Sequence, residues 1–188
     1  MICGWFKLVM RAMGVCFGKN LRLRGVPVIY NRRGAQMRIG SDCIINSSFL
    51  SNLVGLYART IIVTRLPGAS IDIGSGVGIS GATIYARQSI RIGDHTMIGG
   101  NVKILDNDFH PIDAEARLAD DRRQIGTCPV VIGKNCFIGC NSIILKGTVL
   151  GDNCVVGAGA VVSGVFEDNC VIAGNPARVI RRLGENER

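Results

Sequence analysis

The sequence predicts an all-β protein, a parallel β-helix built from six-residue units. Three observations support this fold class: a hexapeptide repeat, a glycine content about twice the usual, and a scarcity of helix-favouring segments rich in Leu, Glu, Lys and Ala. The apolar fraction of 47% excludes a disordered polar chain, and the 25 glycines follow no every-third-residue rule, which excludes collagen. The length of 188 residues suits one ordinary domain.

Residues 1–36 are predicted to form an amphipathic, basic segment that begins with a helix. Apolar side chains recur there at three- and four-residue spacing, with Lys7 and Arg11 on the other face. Before Asp42 there are eight basic residues and no acidic residue, whereas residues 42–188 hold 14 of each sign. The helix either caps the open end of the repeat fold or lies on an anionic membrane surface, and the charge pattern is not one we associate with nucleic acid.

Residues 37–176 are predicted to form the β-helix itself. Between 132 and 167 the period is a strict six, and the units read IGKNCF, IGCNSI, ILKGTV, LGDNCV, VGAGAV and VSGVFE. Position one is always Ile, Leu or Val and is expected to point inward, whereas Gly or Asn tolerates the positive φ of a tight corner. Position five is small in the first five units, so it is expected to face the same crowded interior. Three units, or 18 residues, then complete one coil.

The repeat stops after Ile104 and resumes at Val130, which predicts one long inserted loop over residues 105–129. Loops that interrupt a rigid repeat commonly carry function, and this one contains the motif DNDFHP at 106–111. The unperturbed pKa of histidine, about 6.5, suits proton transfer near neutrality, so His110 is a candidate catalytic base. Asp106 and Asp108 flank it and are expected to orient its ring.

The cysteines predict neither a metal site nor a disulfide framework. None of the eight forms a C-x-x-C pair, and only His95 and His110 are available to complete a zinc site, so no metal is expected. Several cysteines occupy the small position five of the repeat, which suits reduced thiols buried as small apolar groups. This usage favours a reducing cytosol, with the N-terminal segment as a possible peripheral contact to the membrane. His95 is expected to occupy a corner of the coil.

These residues resemble the hexapeptide-repeat acyltransferases, whose β-helices are left-handed. The resemblance covers roughly residues 37–183 and rests on the hexads, on DNDFHP and on the pair of motifs VGAGAVV (156–162) and IAGNPARVI (172–180). It implies an acetyl-CoA-dependent O-acetyltransferase of the kind that modifies sugars in polysaccharide assembly, galactosides or maltose. In such enzymes the loop histidine, here His110, is the general base that deprotonates the acceptor hydroxyl.

The resemblance also assigns the remaining site residues. It places Cys140 against coenzyme A with its backbone N–H as the oxyanion donor, Ala158 and Ser163 in the coenzyme A groove, and Arg178 and Arg181 near the nucleotide phosphates. Ser80 and Asn101 are expected to contact the acceptor. The galactoside and maltose enzymes have Thr-Lys where this chain has Ser163-Gly164, so a lysine contact to coenzyme A is missing.

The resemblance further implies a homotrimer with active sites between subunits and a saccharide as acceptor, and residues 177–188 are expected to form a basic tail with a short helix. Two alternatives stay open: a β-helix scaffold without activity, and an N-acetyltransferase for an amino sugar. A covalent acyl-cysteine at Cys140 is disfavoured because no histidine neighbours it in sequence. A zinc-dependent carbonic anhydrase on the same fold needs three histidines, and this chain has two.

Overall fold

A computed structural model describes residues 2–184 of the chain and confirms the parallel β-helix. In chain order its helices and strands are α1 (Ile2–Ala12), β1 (Val15–Phe17), β2 (Arg22–Arg24), β3 (Val28–Asn31), β4 (Gln36–Ile39), β5 (Ile44–Asn46), β6 (Ile61–Thr64), β7 (Ser70–Ile73), β8 (Gly78–Ser80), β9 (Thr83–Ala86), β10 (Ser89–Ile92), β11 (Met97–Ile98), β12 (Lys103–Leu105), α2 (Ala114–Leu118), β13 (Val130–Ile132), β14 (Phe137–Ile138), β15 (Ile143–Ile144), β16 (Val149–Leu150), β17 (Val155–Val156), β18 (Val161–Val162), β19 (Val165–Phe166), β20 (Cys170–Gly174) and β21 (Ala177–Arg182).

Successive strands occupy three sheets in turn, so three strands complete one coil. The first sheet has the order β1-β4-β7-β10-β13-β16-β19, the second β2-β5-β8-β11-β14-β17-β20-β21, and the third β3-β6-β9-β12-β15-β18. Every pairing in these sheets is parallel except the last, between β20 and β21. We call the turns from the second to the third sheet the second corner (residues 81, 99–101, 139–141 and 157–159), and those from the third to the first sheet the third corner (106–129, 145–148 and 163–164).

The interior is filled by the residues that the repeat places inward. All six position-one side chains are at most 1% exposed: Ile132, Ile138, Ile144, Leu150, Val156 and Val162. The small position-five side chains are equally buried: Cys136, Ser142, Thr148, Cys154 and Ala160. Stacking these rows removes a continuous apolar strip from water, which one unit alone would leave exposed.

The corners restrict which residues they accept in two different ways, by backbone conformation and by space. Asn135, Asn153 and Asn169 adopt positive φ values of 55–60° at successive coils, as the corner geometry demands. At Gly133 the limit is space instead, because a Cβ there would lie 2.4 Å from the carbonyl oxygen of Gly151 in the next coil. His95 also occupies a corner, with a φ of 58°, as expected from its place in the repeat.

The first coil begins within the predicted N-terminal segment. Strands β1, β2 and β3 pair with β4, β5 and β6 of the second coil, so residues 15–31 already belong to the β-helix. The predicted helix is present as α1 and packs on this first coil with Phe6 and Met10 buried, while Trp5 and Leu8 remain about two-thirds exposed. None of the helices in residues 2–184 is long and apolar enough to cross a bilayer.

The predicted C-terminal helix is wrong. Residues 177–182 form β21, which runs antiparallel to β20 and covers the edge of the second sheet. The β-branched Val179 and Ile180 favour a strand, and the unpaired backbone groups of β20 offer a partner that a helix would leave unsatisfied. Residues 185–188 of the predicted basic tail lie outside the described residues.

Two excursions interrupt the coil, where the repeat predicted one. The first spans 47–60 at the second corner, between β5 and β6, and contains a 3₁₀ turn at Phe49–Ser51. The second spans 106–129 at the third corner, carries α2, and matches the predicted loop. The 47–60 loop has no motif and follows a weakly periodic stretch, which is why the repeat did not reveal it.

Candidate active site

His110 lies on the exposed surface of the 106–129 loop. The preceding residue, Phe109, has a φ of 64°, an unfavourable conformation for a bulky side chain. Two contacts hold Phe109 there: its N–H donates to Asn107 Oδ1 (2.9 Å), and its ring lies 4.9 Å from the Tyr85 ring on the third sheet. The strained residue therefore fixes the backbone from which His110 projects, as is common at functional sites.

Asp106 anchors the loop and does not reach His110. Its side chain is fully buried and accepts hydrogen bonds from the backbone N–H groups of Arg87 (2.8 Å) and Gln88 (2.7 Å) and from the Asn107 amide (3.0 Å). Both carboxylate oxygens are thereby occupied. This contradicts the expectation that Asp106 orients the histidine ring.

Asp108 also serves the loop. It forms an ion pair with Lys146 at the third corner, and its N–H donates to the carbonyl of Gly126 on the returning arm (3.0 Å). In the described part of the chain no hydrogen bond joins either aspartate to the imidazole. Asp108 and Lys146 thus tether the arm that carries His110, which corrects the predicted orienting role of Asp108.

Asp120 follows the end of α2 and is related to His110 only through charge. A hydrogen bond from Arg122 is the main cause that lowers the pKa of Asp120, the charge of Arg122 adds to it, and the charge of His110 makes the smallest contribution. No sequence motif marks Asp120, because it lies outside both the hexads and DNDFHP.

Cys140, Ala158 and Arg178 line one edge of the molecule, the second corner. The N–H of Gly159 donates to the carbonyl of Cys140 (2.9 Å), so Ala158 lies one coil above Cys140. A Cβ on Gly157 would lie 3.0 Å from Ala173, whose partner in β21 is Arg178. Among residues 2–184 the N–H of Cys140 has no hydrogen-bond acceptor.

Ser163 and Arg181 lie elsewhere. Ser163 is exposed at the third corner, above Lys146 and on the same edge as the His110 loop. Arg181 pairs with Val171, three residues beyond Arg178 along β21, and so about 10 Å from the second corner. The structure therefore brings Arg178 but not Arg181 close to Ala158.

The predicted site residues fall into two groups on opposite edges of the third sheet. Cys140, Ala158 and Arg178 lie at the second corner, and His110 and Ser163 at the third. The five residue steps from Cys140 to Leu145 cross the sheet at roughly 3.3 Å each, which separates the corners by about 16 Å. The corner that carries the His110 loop is therefore well beyond hydrogen-bond distance of Cys140 in the same chain.

Ser80 and Asn101 do not face an open acceptor site. Both are at most 6% exposed and lie beneath the 47–60 loop at the second corner. The Ser80 hydroxyl accepts from the Asn52 amide (3.1 Å), while Asn101 accepts from the Tyr57 N–H (3.2 Å) and donates to the Gly55 carbonyl (2.9 Å). They hold the loop in place, which corrects their predicted contact with the acceptor.

A groove of about 690 Å³ follows the outer face of the first sheet and is lined by none of these residues. Gly40, Gly74 and Gly93 are among the residues that line it. Within residues 2–184 no cluster of three His, Cys, Asp or Glu side chains is arranged to hold a metal ion.

Comparison with known proteins gives consistent matches. Residues 129–163 match the family model described as "Hexapeptide repeat of succinyl-transferase". A "Putative lipopolysaccharide biosynthesis O-acetyl transferase" of Escherichia coli is 37% identical over the whole chain and 92% of its own length. A "Putative acetyltransferase" of Saccharomyces cerevisiae is 36% identical over 75% of this chain and 72% of its own.

The chain belongs to the hexapeptide-repeat acetyltransferases. A solved structure of a variant N-acyltransferase from Bacillus cereus, in complex with dTDP-4-amino-4,6-dideoxyglucose and coenzyme A, superposes with a TM-score of 0.64 at 21% identity, over 94% of this chain and 88% of that one. The left-handed form of the β-helix and the acyltransferase class are thereby confirmed.

This hexapeptide-repeat acetyltransferase contains three site features that its sequence did not reveal: Lys146, Asp120 and the 47–60 loop. For Lys146 a signal existed, since it is a charged residue directly after an inward Ile and a Leu, at the corner that faces the inserted loop. Asp120 and the 47–60 loop lie outside the hexads, so the repeat does not reveal them.

Proposed function

We propose that the protein transfers an acetyl group from acetyl-CoA to a hydroxyl of a saccharide, in the assembly of a polysaccharide or of a lipid-linked saccharide. The observation that carries the proposal is the division of the site residues between two corners of one coil. One corner offers an exposed base, His110, and the other an unpaired N–H at Cys140 followed by Ala158 and Arg178. Each set is incomplete alone, and together they contain the groups that acyl transfer requires.

In the proposed mechanism neutral His110 removes the proton of the acceptor hydroxyl as its oxygen attacks the thioester carbonyl carbon. The carbonyl π pair moves to oxygen, and the resulting oxyanion accepts a hydrogen bond from the Cys140 N–H. The intermediate then collapses, the carbon–sulfur bond breaks, and His110 returns the proton to the coenzyme A thiolate. The products are the O-acetyl ester and free coenzyme A, and no acyl-enzyme forms.

The second corner supplies the proposed donor site. Coenzyme A is a long chain with phosphates at one end, and we propose that it lies along the second corner, where Ala158 is exposed and the Cys140 N–H has no acceptor among residues 2–184. Arg178, one coil further, is an exposed guanidinium suited to the phosphates, and Arg181 extends the positive charge along β21. We place Ser163 on the facing side of the groove, contributed by a neighbouring subunit.

We propose a homotrimer in which the third corner of one subunit meets the second corner of another. Neighbouring subunits around a three-fold axis present different surfaces to each other, which is the arrangement that two unlike half-sites need.

Complementation between two inactive variants tests the shared site. His110→Ala removes the base, and Ala158→Trp fills the groove at an exposed position where a larger side chain does not disturb the core. Each variant alone is expected to be inactive. Co-expression in equal amounts is expected to regain intact sites at about a quarter of all interfaces, or one of the three in each mixed trimer, because an intact site needs one chain of each kind in the right order.

Coenzyme A binding is measured separately by thermal unfolding, since it requires no knowledge of the acceptor. Ligand at about 100 times its Kd is expected to stabilise wild type and His110→Ala alike by roughly 2.7 kcal/mol per site, and Ala158→Trp much less. No shift in folded wild type would favour the inactive scaffold. Activity on an amino sugar alone, with hydroxyl acceptors refused, would favour N-acetylation.

We further propose that the enzyme is cytoplasmic and that α1 has two roles. Its inner face, with Phe6 and Met10, caps the first coil, and its outer face, with Trp5 and Leu8 beside basic residues, contacts an anionic membrane surface. Trp5 is the single tryptophan, so its emission reports this contact directly. Vesicles with anionic lipid are expected to shift the emission to the blue and neutral vesicles are not; no shift with either would leave α1 only its capping role.

A further inference from the structure

The 47–60 loop presents an unusual apolar surface. Large apolar side chains on it are 55–84% exposed: Phe49, Leu50, Leu53, Val54 and Tyr57. No charged residue lies between Asp42 and Arg59 to break this surface. Single exposed apolar residues are ordinary, but a contiguous cluster on a soluble protein marks a binding surface.

The loop is built to hold this surface in one place. Leu56 is buried beneath it, and Asn101 bonds the backbone on both sides of Leu56, at Gly55 and Tyr57. At its base the Thr60 hydroxyl donates to the Asn46 carbonyl (2.7 Å). Buried polar groups thus fix the underside while the apolar side chains face outward, which limits the entropy lost when a ligand binds.

The loop extends from the second coil toward the proposed donor site. Val54 packs on the corner at Gly100, where an added Cβ would lie 2.7 Å from the Val54 methyl and 4.0 Å from Cys140 Cβ. The N–H of Asn141 donates to the Gly100 carbonyl (2.8 Å), so Gly100 and Cys140 occupy adjacent coils. The apolar surface therefore ends beside the group proposed to bind the oxyanion.

The charge of the surrounding coils limits what can bind. Residues 1–71 contain ten basic residues and one acid, Asp42, for a net charge of +9, whereas residues 72–188 contain 12 basic and 13 acidic residues, for a net charge of −1. Arg59 on the loop and Arg24 on the preceding coil are both exposed. The complementary ligand is both apolar and anionic.

We infer that the 47–60 loop binds the lipid portion of an acceptor saccharide carried on a lipid phosphate, with the phosphate beside Arg59. This inference rests on the proposed transfer to a saccharide and specifies the acceptor class. The apolar chain lies on Leu50 and Leu53, and the saccharide extends along the second corner to Cys140. A water-soluble sugar would leave the apolar surface uncovered and so gains nothing from it.

Binding of farnesyl phosphate to the full chain, below its micelle concentration and measured by calorimetry, tests the inference. Leu50→Ser combined with Leu53→Ser removes the two most exposed leucines of the loop without touching the core. The affinity of this double variant for farnesyl phosphate is expected to fall at least tenfold, since part of two leucine side chains no longer covers the lipid. Val165→Ser, an equally exposed apolar position on the first sheet, is the matched control and is expected to bind as wild type does.

The role of charge is tested with Arg59→Glu, which is expected to bind farnesyl phosphate more weakly than wild type does. Farnesol, which lacks the phosphate, is expected to bind weakly to wild type and to every variant. Equal affinity of wild type and the double leucine variant for farnesyl phosphate overturns the inference. So does an equal loss in Val165→Ser, which indicates nonspecific adsorption, or equal binding of farnesol, which removes the role of charge.

Two controls separate this inference from its rivals. If the double leucine variant becomes a monomer by light scattering while wild type is a trimer, the loop is a contact between copies of the chain and the inference is wrong. If wild type binds coenzyme A but not farnesyl phosphate, the acceptor class is wrong and the proposed acetyl transfer stands. If wild type binds neither, the proposed function fails as well.

Discussion

A substitution at Asp106 distinguishes most clearly between a catalytic and a structural role for the aspartates of DNDFHP. Its Oδ1 accepts from Arg87 N–H and the Asn107 amide, and its Oδ2 accepts from the N–H groups of Gln88 (2.7 Å) and Arg87 (3.1 Å). Asp106→Asn keeps the shape of the side chain but turns an NH₂ group toward backbone N–H donors on one side. We therefore expect a loss of stability.

The magnitude follows from the hydrogen bonds. A hydrogen bond to a charged group contributes about 1.5–3 kcal/mol, and a buried donor left without a partner adds about 1–3 kcal/mol. The variant is thus expected to lose roughly 3–5 kcal/mol, which in a chain of this size lowers Tm by about 6–20 °C. Asp108→Asn is the matched control: its ion pair with Lys146 is partly exposed, so its loss is expected to cost about 1 kcal/mol or less.

Thermal unfolding followed by circular dichroism measures both variants against wild type. A large fall in Tm for Asp106→Asn with a small one for Asp108→Asn supports the anchoring role. If Asp106→Asn instead unfolds at the wild-type temperature and has lost its activity, Asp106 acts on the chemistry and the reasoning from its buried hydrogen bonds is refuted.

Three further predictions follow from the packing and from the loop. Gly133→Ala is expected to cost about 3 kcal/mol or more in urea unfolding, because its Cβ meets backbone at 2.4 Å, whereas Gly159→Ala, in open space at a φ of 69°, costs about 1–2 kcal/mol. Iodoacetamide at pH 8 is expected to modify the exposed Cys16 and Cys128 in the native protein and to spare Cys43, since burial raises the pKa of the Cys43 thiol and little thiolate forms; rapid labelling of Cys43, detected by mass spectrometry, would contradict this. Lys146→Met is expected to lower kcat about tenfold or more, with coenzyme A affinity unchanged, because the His110 arm loses its tether; an unchanged kcat would show that the tether is dispensable.

Much of the fold was predictable because each hexad repeats the same pattern of inward and small residues. An inward Ile such as Ile132 and a small residue such as Cys136 recur with a fixed period, and both are buried where that period places them. The C-terminal helix was predicted wrongly because residues 177–182 lie beyond the repeat, and their conformation is decided by the open edge of β20. Local propensity alone could not reveal that edge.

The candidate site shows the same division between periodic and non-periodic information. Cys140 and Ala158 differ by 18 residues, one full coil, so the repeat alone places them on one corner, and the position of Ser163 five residues later places it on the next. The separation of the two corners that hold the proposed base and the proposed oxyanion donor is therefore implicit in the phase of the hexads. In contrast, the roles of Asp106, Asp120 and Lys146 depend on how an aperiodic loop returns to the coil. Motif resemblance named the candidate site residues, and the folded loop shows which of them hold the loop in place.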